Sequence, residues 1–288
     1  MRPAPRWDVE GRDWPNRAAS RFVAAAGFNW HVQEMGHGPT LLLVHGTGAA
    51  THSWRGVAPI LSRHFTVVAP DLPGHGFSDM PRQQMSLPNV ASMLAELLAV
   101  LKVRPRAVVG HSAGAAIVLR MALDRSIRPR AAVSLGGALA PFRGASGMIF
   151  HGLAKLLFLN PLAARLMAWR AESPAAVARV IESTGSRLDA EGLALYGRLL
   201  RTERHVHAAL ALMANWDLLP LRRDLRTLAI PLTLIAPAHD RAVPPSVAQE
   251  ASRIVPRGRV VTVPGLGHLA HEESPGVLAQ MIEEGCAF

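Results

Sequence analysis

Ala107-Val108-Val109-Gly110-His111-Ser112-Ala113-Gly114-Ala115-Ala116-Ile117 is the stretch that decides the fold. Ala107–Val109 reads as a short buried strand and Ala113–Leu123 as the helix that follows it. Between them, Gly110-His111-Ser112-Ala113-Gly114 fits the pattern Gly-x-Ser-x-Gly. A chain that turns sharply from strand to helix at a serine needs glycines on either side, so that the two elements pack closely. Such a turn lifts Ser112 Oγ above the sheet edge and aims the helix N-terminus at any oxyanion formed there.

Working outward, Phe28–Glu34 and Thr40–Val44 read as strands joined by the turn Gly36-His37-Gly38-Pro39. Phe65–Ala69, Ala131–Leu135, Leu232–Ala236 and Arg259–Val263 add further strands. Helical periodicity runs through Ser86–Leu101, with Val90, Leu94, Leu97, Leu98 and Leu101 on one face, and a helix over Pro275–Glu284 closes the chain. Alternating strands and helices predict an α/β fold, a mostly parallel sheet flanked by helices on both faces. Between Gly137 and Ile230 the pattern changes to helices alone, over Met148–Leu159, Leu162–Ala171, Pro174–Ser183, Ala190–Arg201 and Val206–Met213. The expected organisation is an N-terminal arm lying on the surface (1–20), a core domain (21–137 and 230–288) and an inserted helical cap (138–229).

A serine hydroxyl needs a base to act as a nucleophile at neutral pH. His268, in Val263-Pro264-Gly265-Leu266-Gly267-His268 after the last strand, is the favoured base, and His271 is its competitor. The imidazole needs a carboxylate to fix its tautomer. Asp240 follows the strand Leu232–Ala236 and is the expected acid, with Asp217, after a helical segment, as the alternative. The oxyanion needs two backbone N–H donors. Ala113 is expected to supply one and Thr47, in His45-Gly46-Thr47-Gly48, the other, with Gly48 close enough to be confused with it. His45 reads as structural, its ring bonded to loop backbone. Asp71-Leu72-Pro73-Gly74-His75-Gly76-Phe77-Ser78 reads as a shaped turn, so Asp71 and His75 are placed outside the catalytic set.

The chain has 288 residues and is 49% hydrophobic, enough for one sizeable core and an insertion. Its formal charge is +10, almost all of it arginine, since Lys102 and Lys155 are the only lysines. The arginines are scattered without interleaved aromatics, so nucleic acid is not an expected partner. Cys286 is the single cysteine, and the thirteen histidines show no metal-ligand spacing, so neither a disulfide framework nor a metal site is expected. Met1–Asp8 lacks the apolar region of a signal peptide, and the apolar stretch near Met148–Trp169 is broken by His151, Lys155, Asn160-Pro161 and Arg165. A cytoplasmic protein is expected.

The His-Gly-Thr-Gly loop, the Asp-Leu-Pro-Gly-His-Gly-Phe-Ser turn, the Ser112 elbow, Asp240 and Gly267-His268 together resemble the α/β-hydrolase superfamily. A serine at position 112 argues against the dehalogenases and epoxide hydrolases that place an aspartate there. A closer resemblance runs over nearly the whole chain. Asp13–Phe22, Gly46–Trp54, Thr184–Gly192 and Met213–Leu218 resemble the BchO-type accessory proteins of magnesium chelatase in bacteriochlorophyll synthesis. That resemblance implies a role near magnesium insertion into protoporphyrin, with the chelatase as a partner, and it names no reaction. Three readings stay open: a serine hydrolase of an ester or related acyl bond, a non-catalytic protein that binds a porphyrin or the chelatase, and a carbon–carbon bond hydrolase.

No cofactor is required for the serine chemistry, and a tetrapyrrole is the ligand the resemblance suggests. Gly46, His111, Met213 and Trp216 are the candidates for lining a substrate pocket. The cap residues Ile149, Leu153, Leu156, Leu157, Leu162, Leu166 and Met167 are expected chiefly to pack the cap onto the sheet domain. Met148, Met167, Trp169, Met213 and Trp216 would also suit a bulky hydrophobic ligand. Arg143, Arg165 and Arg170 are expected on solvated faces, with propionate carboxylates as the alternative partners. Packing is likewise the expected role of the stretch Phe142–Phe158, with contact to a membrane surface as the alternative.

Overall fold

The computed structural model describes residues 4–141, 156–158, 160 and 162–287. Eight strands form one sheet in the order β1-β2-β4-β3-β5-β6-β7-β8. The strands are β1 (Ser20–Ala25), β2 (Phe28–Met35), β3 (Thr40–Val44), β4 (Thr66–Pro70), β5 (Ala107–His111), β6 (Ala131–Leu135), β7 (Leu232–Pro237) and β8 (Gly258–Val263). β1 and β2 pair antiparallel, as do β2 and β4; every other neighbouring pair is parallel. The inner strands are buried along their length, because a parallel sheet covered on both faces leaves no side for polar residues.

Helices cover the two faces. On one lie α2 (Leu87–Leu101) and α3 (Ala113–Leu123), whose Leu94, Leu97, Ile117 and Leu119 pack on β3, β5 and β6. On the other lie α1 (Val57–Leu61) and a C-terminal helix (Pro275–Cys286), which bury Trp54, Leu61, Leu278 and Ile282. Strand register then aligns the carboxyl ends. Val44 pairs with Gly110, His111 with Leu135, Leu135 with Ile235, and Pro237 with Val263. The loops that follow β3, β5, β6, β7 and β8 therefore leave the sheet along one edge.

β1 differs from the sequence reading, which placed residues 1–20 in a surface arm and began the strands at Phe28. Ser20–Ala25 is a half-exposed edge strand. Its hairpin turns through Ala26 and Gly27, both at positive φ (53° and 83°). Asn-Gly is the usual marker of such a turn, and an alanine in the first place hides it. The arm is also more than a surface strap. Trp14 is buried among Ala50, Phe77, Leu195 and Leu199, and its indole N–H donates to Thr51 Oγ1 at 3.0 Å. Arg198 donates to both Glu10 O (2.5 Å) and Asp13 Oδ1 (2.6 Å). The arm thus fastens a cap helix to the sheet domain.

The helical insert, around 156–214, lies between β6 and β7. It comprises α4 (Ala163–Arg170), α5 (Pro174–Ser183), α6 (Ala190–Leu200) and α7 (Glu203–Ala214). After it come α8 (Leu219–Asp224), α9 (Pro245–Ile254) after β7, α10 (Ala270–Glu273) after β8, and the C-terminal helix, α11. The expected helix over Met148–Leu159 falls largely outside the described residues, as do Arg143, Ile149 and Leu153 and most of Phe142–Phe158. Among the cap residues expected to pack inward, Leu157 does so, whereas Leu156, Leu162, Leu166 and Met167 face solvent. α4 turns its alanines inward instead, where Ala163, Ala164 and Ala168 pack with Val206 and Leu210 of α7. No described helix is long and apolar enough to cross a membrane.

Candidate active site

Ser112 stands between β5 and α3 with φ 52° and ψ −118°, a strained conformation for a residue with a Cβ. Strain of this kind costs about 1–3 kcal/mol and persists only where its surroundings enforce it. Here Ser112 N–H donates to Leu135 O of β6 (3.0 Å), and Ser112 O accepts from Ala115 (3.1 Å) and Ala138 (3.1 Å). The flanking glycines are sterically required. A Cβ on Gly110 would sit 2.3 Å from the Ala115 backbone, and one on Gly114 would sit 2.1 Å from Val44 O. Ala113 opens α3, where the first N–H groups of a helix have no intrahelical acceptor.

The loop after β3 runs beside the elbow. A Cβ on Gly46 would lie 2.8 Å from Ser112 Cβ, so this position admits no side chain. Thr47 follows it, half-buried. His45 is fully enclosed. Its Nδ1–H donates to Gly46 O (2.8 Å) and its Nε2 accepts from Leu72 N–H (2.8 Å), which fixes the ring as loop scaffolding. Asp71 does similar work. It accepts from Thr51 N–H (2.6 Å), Phe77 N–H (2.9 Å) and His31 Nδ1 (2.7 Å). Burial would raise its pKa, but the His31 contact and these donors hold the carboxyl well below the usual range. His75 donates to Pro73 O (3.0 Å) within the turn.

Asp240 and His268 meet across the edge. Asp240 Oδ1 accepts from Ala242 N–H (2.9 Å) and Val243 N–H (2.7 Å), leaving Oδ2 to accept from His268 Nδ1 at 2.7 Å. That bond assigns the proton to Nδ1 and leaves Nε2 with a lone pair. The pair abuts Gly136, where a Cβ would lie 2.9 Å from Asp240 Oδ2 and 3.3 Å from His268 Nδ1. Gly136 follows Leu135, the residue that holds Ser112 N–H, so one strand end braces the serine and the imidazole–carboxylate pair together. Among the described residues Ser112 Oγ makes no hydrogen bond to His268.

His271 lies elsewhere. It is buried against Trp54 and His111, neither ring nitrogen has a partner among the described residues, and burial pushes its pKa down to about 3. Asp217 is exposed and accepts from Leu219 N–H (3.0 Å), two residues on. His111 is buried, and its Nε2 donates to His268 O (3.0 Å), so it braces the loop that carries His268, while its Nδ1 has no partner among the described residues. Met213 packs with the cap against Ala163, Ala168 and Leu210, and Trp216 packs against the main core. Trp169, Arg165 and Arg170 point to solvent. A cleft of about 1100 Å³ borders the Asp240 loop, its lining including Glu182, Arg187, His239, Asp240, Arg241 and Glu273; Ser112 is not part of it.

One group of contacts had no signal in the sequence. The cap segment Thr184-Gly185-Ser186 lies between the loops that carry Asp240 and His268. Thr184 O accepts from Arg241 N–H (3.0 Å) and from His268 N–H (3.4 Å), and buried Ser186 Oγ accepts from Leu269 N–H (2.7 Å). A Cβ on Gly185 would lie 2.0 Å from His239 O, and one on Gly267 would lie 2.3 Å from the Gly185 backbone. A second link joins cap to core below it: Glu272, buried, accepts from Tyr196 Oη (2.8 Å) and from Arg55, which also reaches Asp189 (3.1 Å). Burial pushes the Glu272 carboxyl up to about 7 against the pull of Arg55.

Comparison with known proteins agrees with this architecture. Residues 39–275 match the family model described as alpha/beta hydrolase fold. The magnesium-chelatase 30 kDa subunit of Rhodobacter capsulatus is 41% identical over 277 residues, covering 94% of this chain and 95% of that protein. Pyrrolizixenacetamide deacetylase of Xenorhabdus hominickii is 29% identical over 252 residues, covering 83% of this chain and 88% of the relative. An alpha/beta hydrolase fold protein from Burkholderia ambifaria superposes with a TM-score of 0.78 at 24% identity, over 92% of this chain and 97% of that one, which shows the shared fold. The chain belongs to the α/β-hydrolase fold family and is related to the magnesium-chelatase 30 kDa subunit.

Proposed function

We propose that the chain is a serine hydrolase, cleaving an ester or related acyl bond through Ser112, His268 and Asp240 at the magnesium-chelatase step of bacteriochlorophyll synthesis. The observation that carries this reading is the 2.7 Å bond from His268 Nδ1 to Asp240 Oδ2 at the sheet edge where the strained Ser112 stands. In the proposed reaction His268 Nε2 takes the Ser112 proton as Oγ attacks the acyl carbon. The N–H groups of Ala113 and Thr47 receive the charge that develops on the carbonyl oxygen. Asp240 stabilises the imidazolium, which then protonates the leaving group, and water releases the acyl group from Ser112 by the same steps in reverse. A bulky hydrophobic substrate, such as a porphyrin ester, fits the family reading, and the chemistry needs no cofactor.

A fluorophosphonate probe tests the reading. It should label the wild-type protein and leave Ser112→Ala unlabelled; a folded wild-type protein that resists labelling overturns it. The relation to a chelatase subunit favours a second reading, in which the chain serves the chelatase or holds a porphyrin without catalysis. Two results would support it over the first: full restoration of pigment synthesis by Ser112→Ala in a deletion strain, and saturable quenching of tryptophan fluorescence by protoporphyrin in that variant.

A further inference from the structure

The cap presents an apolar stripe to solvent that the proposed chemistry does not use. On α4, Ala163, Ala164 and Ala168 are buried against Val206 and Leu210 of α7. The opposite side carries Leu162, Leu166 and Trp169, which are 63%, 56% and 64% exposed. Their spacing along the helix sets them on one face. Leu156 and Met167 are also apolar and exposed, at 65% and 42%. Large apolar side chains outside and alanines inside reverse the usual order of burial, and such patches mark contact surfaces.

The charge around the stripe is mixed, with arginine on both of its sides and two acids, Glu172 and Glu203, nearby. Arg165 and Arg170 are exposed and fall on either side of it around the helix. Glu203, on α7, is the acid that reaches Arg165, at 3.6 Å in a solvated pair. Between 138 and 172 the sequence holds Arg143, Lys155, Arg165 and Arg170 against one acid, Glu172. The whole chain carries +10.

We propose that α4 is a lipid-docking surface that seats the cap on an anionic bilayer. Leu162, Leu166 and Trp169 enter the boundary between headgroups and acyl chains, while Arg165 and Arg170 meet lipid phosphates. An amphipathic helix lies in that plane when its apolar face is flanked by cations, and tryptophan favours the same depth. A predominantly basic segment on a chain of net charge +10 suits an anionic lipid layer. The position also fits delivery of an apolar ligand. α4 packs on α7, and His205 of α7 donates to Gly48 O (3.0 Å) in the loop beside Ser112.

Sedimentation of the full-length protein with vesicles tests the proposal, using phosphatidylcholine alone and phosphatidylcholine mixed with phosphatidylglycerol. The protein should partition onto the mixed vesicles and release with added salt. Arg165→Gln and Arg170→Gln should each weaken partitioning about fivefold. The double variant Leu166→Glu/Trp169→Glu should weaken it by about tenfold or more. All these side chains are exposed, so circular dichroism and thermal unfolding should match the wild type. No binding to the mixed vesicles overturns the proposal. Equal binding by the double variant also overturns it, since net charge alone would then explain the attraction. A wild-type protein that self-associates through this face and ignores vesicles overturns it as well.

Discussion

Replacing Ser186 with alanine tests whether the cap holds the candidate base in place. Ser186 is buried, and its Oγ accepts Leu269 N–H at 2.7 Å. Without the hydroxyl, a buried N–H loses its acceptor, at a cost of about 1–3 kcal/mol. The loop can recover that energy only by shifting Leu269 towards water, and Leu269 adjoins His268. The neighbouring bond from His268 N–H to Thr184 O is long, 3.4 Å, and holds the loop weakly. If the penalty falls on the reactive arrangement, the second-order rate of fluorophosphonate labelling drops roughly fivefold to a hundredfold. The low-field proton resonance of His268 Nδ1–H on Asp240 should shift or broaden with it. That signal does not depend on catalysis, so it tests the geometry even in a protein that no probe labels. Arg179→Ala, exposed on the same cap, should change neither reading. A lowered unfolding temperature with unchanged labelling and an unchanged resonance would refute the positioning role.

Acid should unfold this protein early. Burial holds His45, His52, His75, His111, His205 and His271 below the ordinary histidine value, His205 to about 4 and His271 to about 3. A depressed base binds fewer protons folded than unfolded, so its stabilisation is present above 6.5 and is lost as pH falls below it. Each contributes about 1.4 kcal/mol per pH unit within its window. Glu272, raised to about 7, acts in the opposite direction between 4.5 and 7, but it is one proton against six. Urea unfolding should show lower stability at pH 5 than at pH 7, and His271→Leu should flatten that dependence by about 1.4 kcal/mol per pH unit; equal stability at the two pH values would contradict the account. Trp14→Ala should cost about 3–5 kcal/mol through the cavity left between arm and cap, and it should open α6 to limited proteolysis; an unchanged urea midpoint would show that the arm does not fasten the cap.

The features legible in the sequence are local ones. Gly110 and Gly114 flank Ser112 because backbone from α3 and β3 approaches within a Cβ radius, and that constraint leaves its mark within five residues. The runs at β3, β5, β6 and β7 are legible because burial on both faces excludes polar side chains. β1 escaped the reading because an edge strand is half-exposed and its turn places Ala26 at positive φ. The outward face of α4 escaped for the opposite reason: an apolar helix side reads as core, and only packing shows that the alanines took the inside.

Sequence by itself determined the fold class, the position of the serine and the order in which Asp240 and His268 follow it. Strand pattern and steric spacing act over short range and so appear in the order of residues. The tertiary structure decided which histidine meets Asp240, since His268 and His271 lie three residues apart and differ only in what each packs against. It also decided that the cap's Thr184-Gly185-Ser186 runs between the two loops, a contact made across more than eighty residues of chain between Ser186 and Leu269. Such contacts follow from how the sheet edge brings loop ends together, and no spacing in the sequence records them.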